Sequence, residues 1–189
     1  AASGVSFELG GKAPSFRTVL VTGAPESEPT RASSKLTATK SFYSMTGRRV
    51  DLSKVAQGDQ LVVVLNVRPQ ERRLNPVIVA DLLPAGFEIE TVLRPADGAS
   101  NGSTGGAFSF AGKIANAQTA QAQDDRFVAA VDVYQDAINL ADVVRAVTPG
   151  NFALPGVVAE DMYRPDVFGR SEAGRVTITA TASAAGGTP

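Results

Sequence analysis

The fold predicted by this sequence is all-β, an antiparallel β-sandwich, and three observations predict it. The apolar runs are short and rich in β-branched residues, and Gly, Pro, Asn or Asp closes nearly every one of them. The clearest period is two. In Arg175-Val-Thr-Ile-Thr-Ala-Thr, Val176, Ile178 and Ala180 share one face and Thr177, Thr179 and Thr181 the other, as a half-buried strand requires.

Taken in order, strands are expected over Val5–Leu9, Phe16–Thr22, Lys35–Ser44, Gln60–Val67, Pro76–Asp81, Phe87–Leu93, Phe127–Val133, Ile138–Val147, Phe152–Glu160 and Arg175–Thr181. Leu61-Val-Val-Val-Leu is apolar on both faces, so that strand is either central in the sandwich or covered by another element. Ala137–Val147 carries both periods. Leu140, Val143 and Val144 suit a helix, yet Ile138, Leu140, Asp142, Val144 and Ala146 alternate, and strand is preferred because Thr148-Pro149-Gly150 closes the run with turn chemistry. The Ala- and Gln-rich stretch Ala111–Gln123 reads as a short helix or an ordered excursion, and the run before it, Gly98 to Gly106, as a flexible loop. Pro25–Ser34 is the best linker candidate, which sets a boundary near residue 30. The interior is expected to hold Leu61, Val63, Leu65, Val77, Val79, Phe87, Ile89, Val128, Val131, Val176 and Ile178.

Composition narrows the chemistry. The 189 residues contain no His and no Cys, which removes the Ser-His-Asp and Cys-His nucleophile systems, disulfides and most zinc sites. Eighteen Lys and Arg oppose nineteen Asp and Glu. A near-neutral chain lacks the basic face a nucleic acid or an anionic membrane surface demands. No run reaches the roughly 20 apolar residues of a spanning helix, and the opening AASGVSFELGGK has neither region of a signal peptide, so direct membrane insertion is not expected.

Few motifs survive scrutiny. Gly11-Lys12 and Gly112-Lys113 lack the glycine five positions earlier, and Ala13 and Ile114 stand where a P-loop has Ser or Thr. Asn101-Gly102-Ser103 reads as loop rather than glycosylation site. Asp124-Asp125 and Glu160-Asp161 are adjacent pairs whose members would point to opposite faces of a strand, which suits turns and salt bridges better than acid–base work on one bond. Arg68, Glu71, Arg72 and Arg73 form a mixed-charge loop. Met162-Tyr163-Arg164-Pro165 is harder to dismiss. It sets two large, adaptable side chains at a turn, where they serve either as a core plug or as a contact surface.

Several strings, in order, carry a resemblance: GRRVDLSKVAQGDQLVVVLNV, VADLLPAGFEIE, DDRFVAAVDVY, VVRAVTPGNFALPGVVAEDMYRPDVFGRS and GRVTI. Together, over Ser33 to Ala182, they resemble the C-terminal macroglobulin domain of bacterial α2-macroglobulins, large periplasmic protease-trapping proteins. FELGGKAPSFRTVLVTGAP resembles the last strands of the CUB domain that precedes it in that family. The resemblance implies a fibronectin type III or immunoglobulin-like sandwich at 31–184, the end of a CUB-like domain and a linker at 1–30, and a tail at 185–189. It implies no cofactor and no catalysis in this part, since the family's reactive thioester needs a Cys. The implied partners are the thioester and CUB domains of the same full-length protein, and target proteases through that protein. Met162 and Tyr163 match the aromatic and Met side chains that keep water off the thioester. A stand-alone adhesion or protein-binding sandwich is the alternative.

Overall fold

The computed structural model describes residues 30–73, 75–95 and 106–181, with isolated positions 10, 16, 18, 20 and 22. The strands expected over Val5–Leu9 and Phe16–Thr22 fall, those isolated positions apart, outside the described residues, as do the loop up to residue 105 and the tail.

Among the described residues the chain forms thirteen strands. A six-stranded sheet joins β1 (Ala32–Ser34), β12 (Phe168–Arg170), β11 (Val158–Asp161), β5 (Asn75–Leu82), β8 (Arg126–Val133) and β7 (Thr119–Gln123), in that spatial order. A four-stranded sheet orders β2 (Leu36–Ser44), β4 (Gln60–Pro69), β9 (Ile138–Ala146) and β6 (Phe87–Leu93). A small third sheet holds β10 (Gly150–Leu154), β13 (Gly174–Thr179) and β3 (Val55–Ala56). All pairings are antiparallel except β13 with β3.

The two larger sheets face each other across one core. Leu61, Val63, Leu65 and Val67 of β4 meet Val77 and Val79 of β5 and Phe127, Ala129, Val131 and Val133 of β8 there, and Val55, Val176 and Ile178 of the third sheet join them. The doubly apolar strand is therefore central, and it is covered as well. Val62 and Val64, on its other face, lie with Ala141, Val143, Ala111 and Ile114 in a second cluster beneath Phe108 and Phe110. Those residues belong to the excursion after β6, a 3-10 helix at Gly106–Ala111 followed by a bridge from Ile114 to Asn139.

Several expectations need correction. Of the two readings of Ala111–Gln123 the ordered excursion holds and the helix does not: Ala111 and Ile114 pack with Ala141 and Val143 of β9, Ala115, Ala117 and Ala120 pack against the main core, and the end of the stretch pairs with β8 as β7. Phe152–Glu160 is two strands in different sheets. Pro155 has no N–H to continue a ladder, and at Gly156 the chain passes so near Ser171 that a Cβ would lie 2.3 Å from its carbonyl oxygen. Ser33 and Ser34, assigned to the linker, lie in β1. Val128 points outward and is half-buried, since the alternation in β8 puts Phe127, Ala129 and Val131 inside. Ile89 is half-buried beside a register shift between Ile89 and Thr91, and Ala180 is exposed beyond the end of β13.

Lys35 turns the chain from one sheet into the other. Its φ of 62° makes it the corner between β1 and β2. Close by, β12 passes directly over β2, and a Cβ on Gly169 would lie 2.8 Å from the Ala38 amide nitrogen and 2.9 Å from the Leu36 carbonyl oxygen. Only glycine fits that crossing.

Candidate functional site

Met162 and Tyr163 leave the end of β11 in a tight turn and do not enter the core. Tyr163 is 81% exposed and Met162 39%. Neither side chain belongs to the core clusters of this chain.

What lies beneath them is buried. Asp161 ends β11 with its side chain only 1% exposed. Its Oδ1 accepts hydrogen bonds from the amide nitrogens of Tyr163 at 3.0 Å and Arg164 at 2.9 Å, and its Oδ2 accepts one from the Arg164 guanidinium at 2.6 Å. Burial by itself would raise the Asp161 carboxyl, but the Arg164 guanidinium and the two backbone N–H groups outweigh it and hold the carboxyl below its ordinary value. Arg164 also donates to Oδ1 of Asn75 at the start of β5. The Met162 amide donates to the Pro76 carbonyl at 2.9 Å, and the Val167 amide closes the turn on the Arg164 carbonyl at 2.9 Å.

The turn stands at one end of a bare sheet face. On the outer side of the six-stranded sheet, Ile78 and Ala80 of β5 pair with Ala130 and Val128 of β8, and Val158 of β11 lies opposite Ala80. Ile78 and Leu82 are 42% and 44% exposed. A groove of about 370 Å³ runs along this face between Ile78, Ala80, Val158, Met162 and Pro165. Glu160, paired opposite Ile78, lines the groove as well, and Arg126 lies opposite Leu82 farther along the face. The four-stranded sheet is different, for its outer face is covered by residues of this same chain.

Glu160 and Asp161 do point to opposite faces, one exposed and one buried. Asp125 pairs with the neighbouring Arg126 at 2.6 Å on the surface. Arg68, Glu71, Arg72 and Arg73 are exposed. Among the described residues no group of three or more His, Cys, Asp and Glu could hold a metal ion. No helix there is long and apolar enough to cross a membrane.

Sequence reasoning missed two polar clusters. One is the Asp161, Arg164 and Asn75 brace, whose only local signal is an Asp three residues before an Arg at a turn. The other is in the core, where Lys40 of β2 meets Asp81 of β5 at 2.7 Å with side chains 5% and 1% exposed. Asp142 of β9 is fully buried nearby with neither carboxylate oxygen hydrogen-bonded. Burial and then the Asp81 charge push the Asp142 carboxyl up to about 8, against the opposing effect of Lys40. Burial raises Asp81 as well, again opposed by Lys40.

The architecture is that of a macroglobulin-type β-sandwich. A solved structure of Salmonella alpha-2-macroglobulin reacted with methylamine matches it with a TM-score of 0.72 and 32% identity, over 83% of this chain and 10% of that one. The family described as the bacterial alpha-2-macroglobulin MG10 domain matches residues 36–166, and the chain belongs to that family. Alpha-2-macroglobulin of Xylella fastidiosa is 30% identical over 181 residues, which cover 94% of this chain and 11% of the relative. That of Escherichia coli K12 is 32% identical over 160 residues, 82% of this chain and 10% of the relative. The chain thus spans about a tenth of the length of the curated relatives it matches.

Proposed function

We propose that this chain is the non-catalytic C-terminal domain of a bacterial periplasmic alpha-2-macroglobulin-like inhibitor of broad protease range, and that Met162 and Tyr163 shield the thioester of a separate domain of that protein. In this reading residues 31–184 are the macroglobulin domain, preceded by the end of a CUB-like domain. The observation that carries it is the exposure of Met162 and Tyr163 on a braced turn, at the end of an apolar face that no described part of the chain covers.

The chemistry needs nothing more from these residues than their shape. A thioester is an electrophile that water or a small amine consumes. An aromatic ring and a thioether laid against it exclude both, and because neither side chain donates or accepts a proton strongly, the bond is kept without being attacked. When a protease cuts the inhibitor and the domains move, withdrawal of the same two side chains exposes the bond to amines on the attacker.

The Salmonella relative is one whose structure was solved after reaction with methylamine, and that reagent supplies the test. Full-length protein carrying an upstream Cys-Xaa-Glu-Gln is compared with its Met162→Ala/Tyr163→Ala variant. Methylamine uptake before any protease is added should rise several-fold in the variant. Equal uptake by the two would refute the shielding role. An upstream sequence with no such motif would also remove it.

A further inference from the structure

An exposed Tyr and Met on a free turn would sample many arrangements, and ordering them on contact would cost binding free energy. This turn does not have that freedom. Its ends are tied by the backbone bonds from Met162 to Pro76 and from Val167 to Arg164. Its middle is tied by a single buried group. The Asp161 carboxylate takes three N–H donors, two from the backbone of the residues that follow and one from Arg164. The brace continues inward, for Asn75, which accepts from Arg164, donates its own Nδ2 to the carbonyls of Arg73 at 2.7 Å and Val133 at 3.4 Å. The turn is thereby joined to the loop before β5 and to the end of β8.

A buried ion pair is a poor device for stability, because desolvation offsets most of its attraction. What it supplies here is geometry, in a turn whose Tyr163 ring is 81% exposed and whose Met162 reaches only the lining of the surface groove. We propose that Asp161 is a positioning residue: its carboxylate, braced by Arg164 and Asn75, fixes the Met162–Tyr163 turn in its contact geometry before the partner surface arrives. The proposal rests on the shielding role given to Met162 and Tyr163 above. It adds that correct side chains on a loosened turn do not suffice.

The test uses Asp161→Ala, which removes all three acceptor contacts, and Asp161→Asn, which keeps one oxygen for the two backbone amides. In the 189-residue chain, amide exchange at Tyr163 and Arg164 is expected to quicken about tenfold or more in D161A, with the core amides of Val63 and Val79 changing less than about threefold. In the full-length protein, methylamine uptake should rise several-fold in D161A although Met162 and Tyr163 are intact, and D161N should return both readouts toward wild type. If D161A does not fold, Arg164→Gln leaves the backbone bonds in place and carries both measurements in the same direction. Unchanged exchange at Tyr163 and Arg164 overturns the positioning role. So does uptake that rises when Met162 and Tyr163 are truncated but not when Asp161 is, and in that case the shielding role still stands. Uptake that rises in neither variant removes the shielding role and the positioning role with it.

Discussion

The substitution Asp142→Asn should abolish a dependence of stability on pH that originates in the middle of the sandwich. The Lys40 ammonium already pairs with Asp81 at 2.7 Å, so the buried cluster is electrically neutral only when Asp142 keeps its proton. In the folded chain that proton stays until about pH 8, whereas an unhindered Asp releases it near 3.8. Because the folded value is the higher one, the stabilisation is complete below the unfolded value and is lost as pH rises toward 8. The slope approaches about 1.4 kcal/mol per pH unit, and the whole window is worth about 6 kcal/mol. Between pH 5 and 8 the loss is about 4 kcal/mol. With a urea slope of roughly 2 kcal/mol/M, that moves the unfolding midpoint down by about 2 M. The asparagine side chain has nearly the same shape and no proton to keep, so the midpoint of the variant should hold across the same range and exceed the wild-type midpoint at pH 8. The assay is urea unfolding at half-unit steps from pH 5 to 8. A wild-type midpoint that does not move, or an asparagine variant that falls in parallel with it, would refute the reasoning.

Three further outcomes follow from the same geometry. Lys40→Met leaves Asp81 buried without its partner and should cost about 3–5 kcal/mol in urea unfolding at neutral pH, most of it recovered when Asp81→Leu is added. Gly169→Ala drives a methyl against the backbone of β2 and should lower stability by about 1–3 kcal/mol, read by calorimetry as a drop in Tm. Met162→Ala/Tyr163→Ala should change the stability of the 189-residue chain by less than about 1 kcal/mol, since Tyr163 faces solvent and Met162, 39% exposed, lies outside both core clusters. A loss of several kcal/mol there would return the pair to the core.

The architecture could be read from the sequence wherever a single strand carries its own instruction. Alternation in Arg175–Thr179 placed Val176 and Ile178 inside, and the double-sided run Leu61–Leu65 announced a strand either central or covered, because side chains alternate faces whatever the partner strand is; the strand is both. The MYRP string likewise marked the turn at Met162 and Tyr163, and the resemblance of the whole run to one family needed no coordinates. Tertiary structure decided the rest. Whether Val128 or Ala129 faces the core depends on register with β5, and whether the Ala- and Gln-rich stretch coils or pairs depends on the open apolar face of β9. Lys40, Asp81 and Asp142 lie on three different strands, and Asn75 is far along the chain from Asp161 and Arg164. No local period records such meetings. Their energies exist only once folding removes water from between groups that the sequence keeps apart, and for that reason the charges that fix the core and brace the turn were invisible until the strands were brought together.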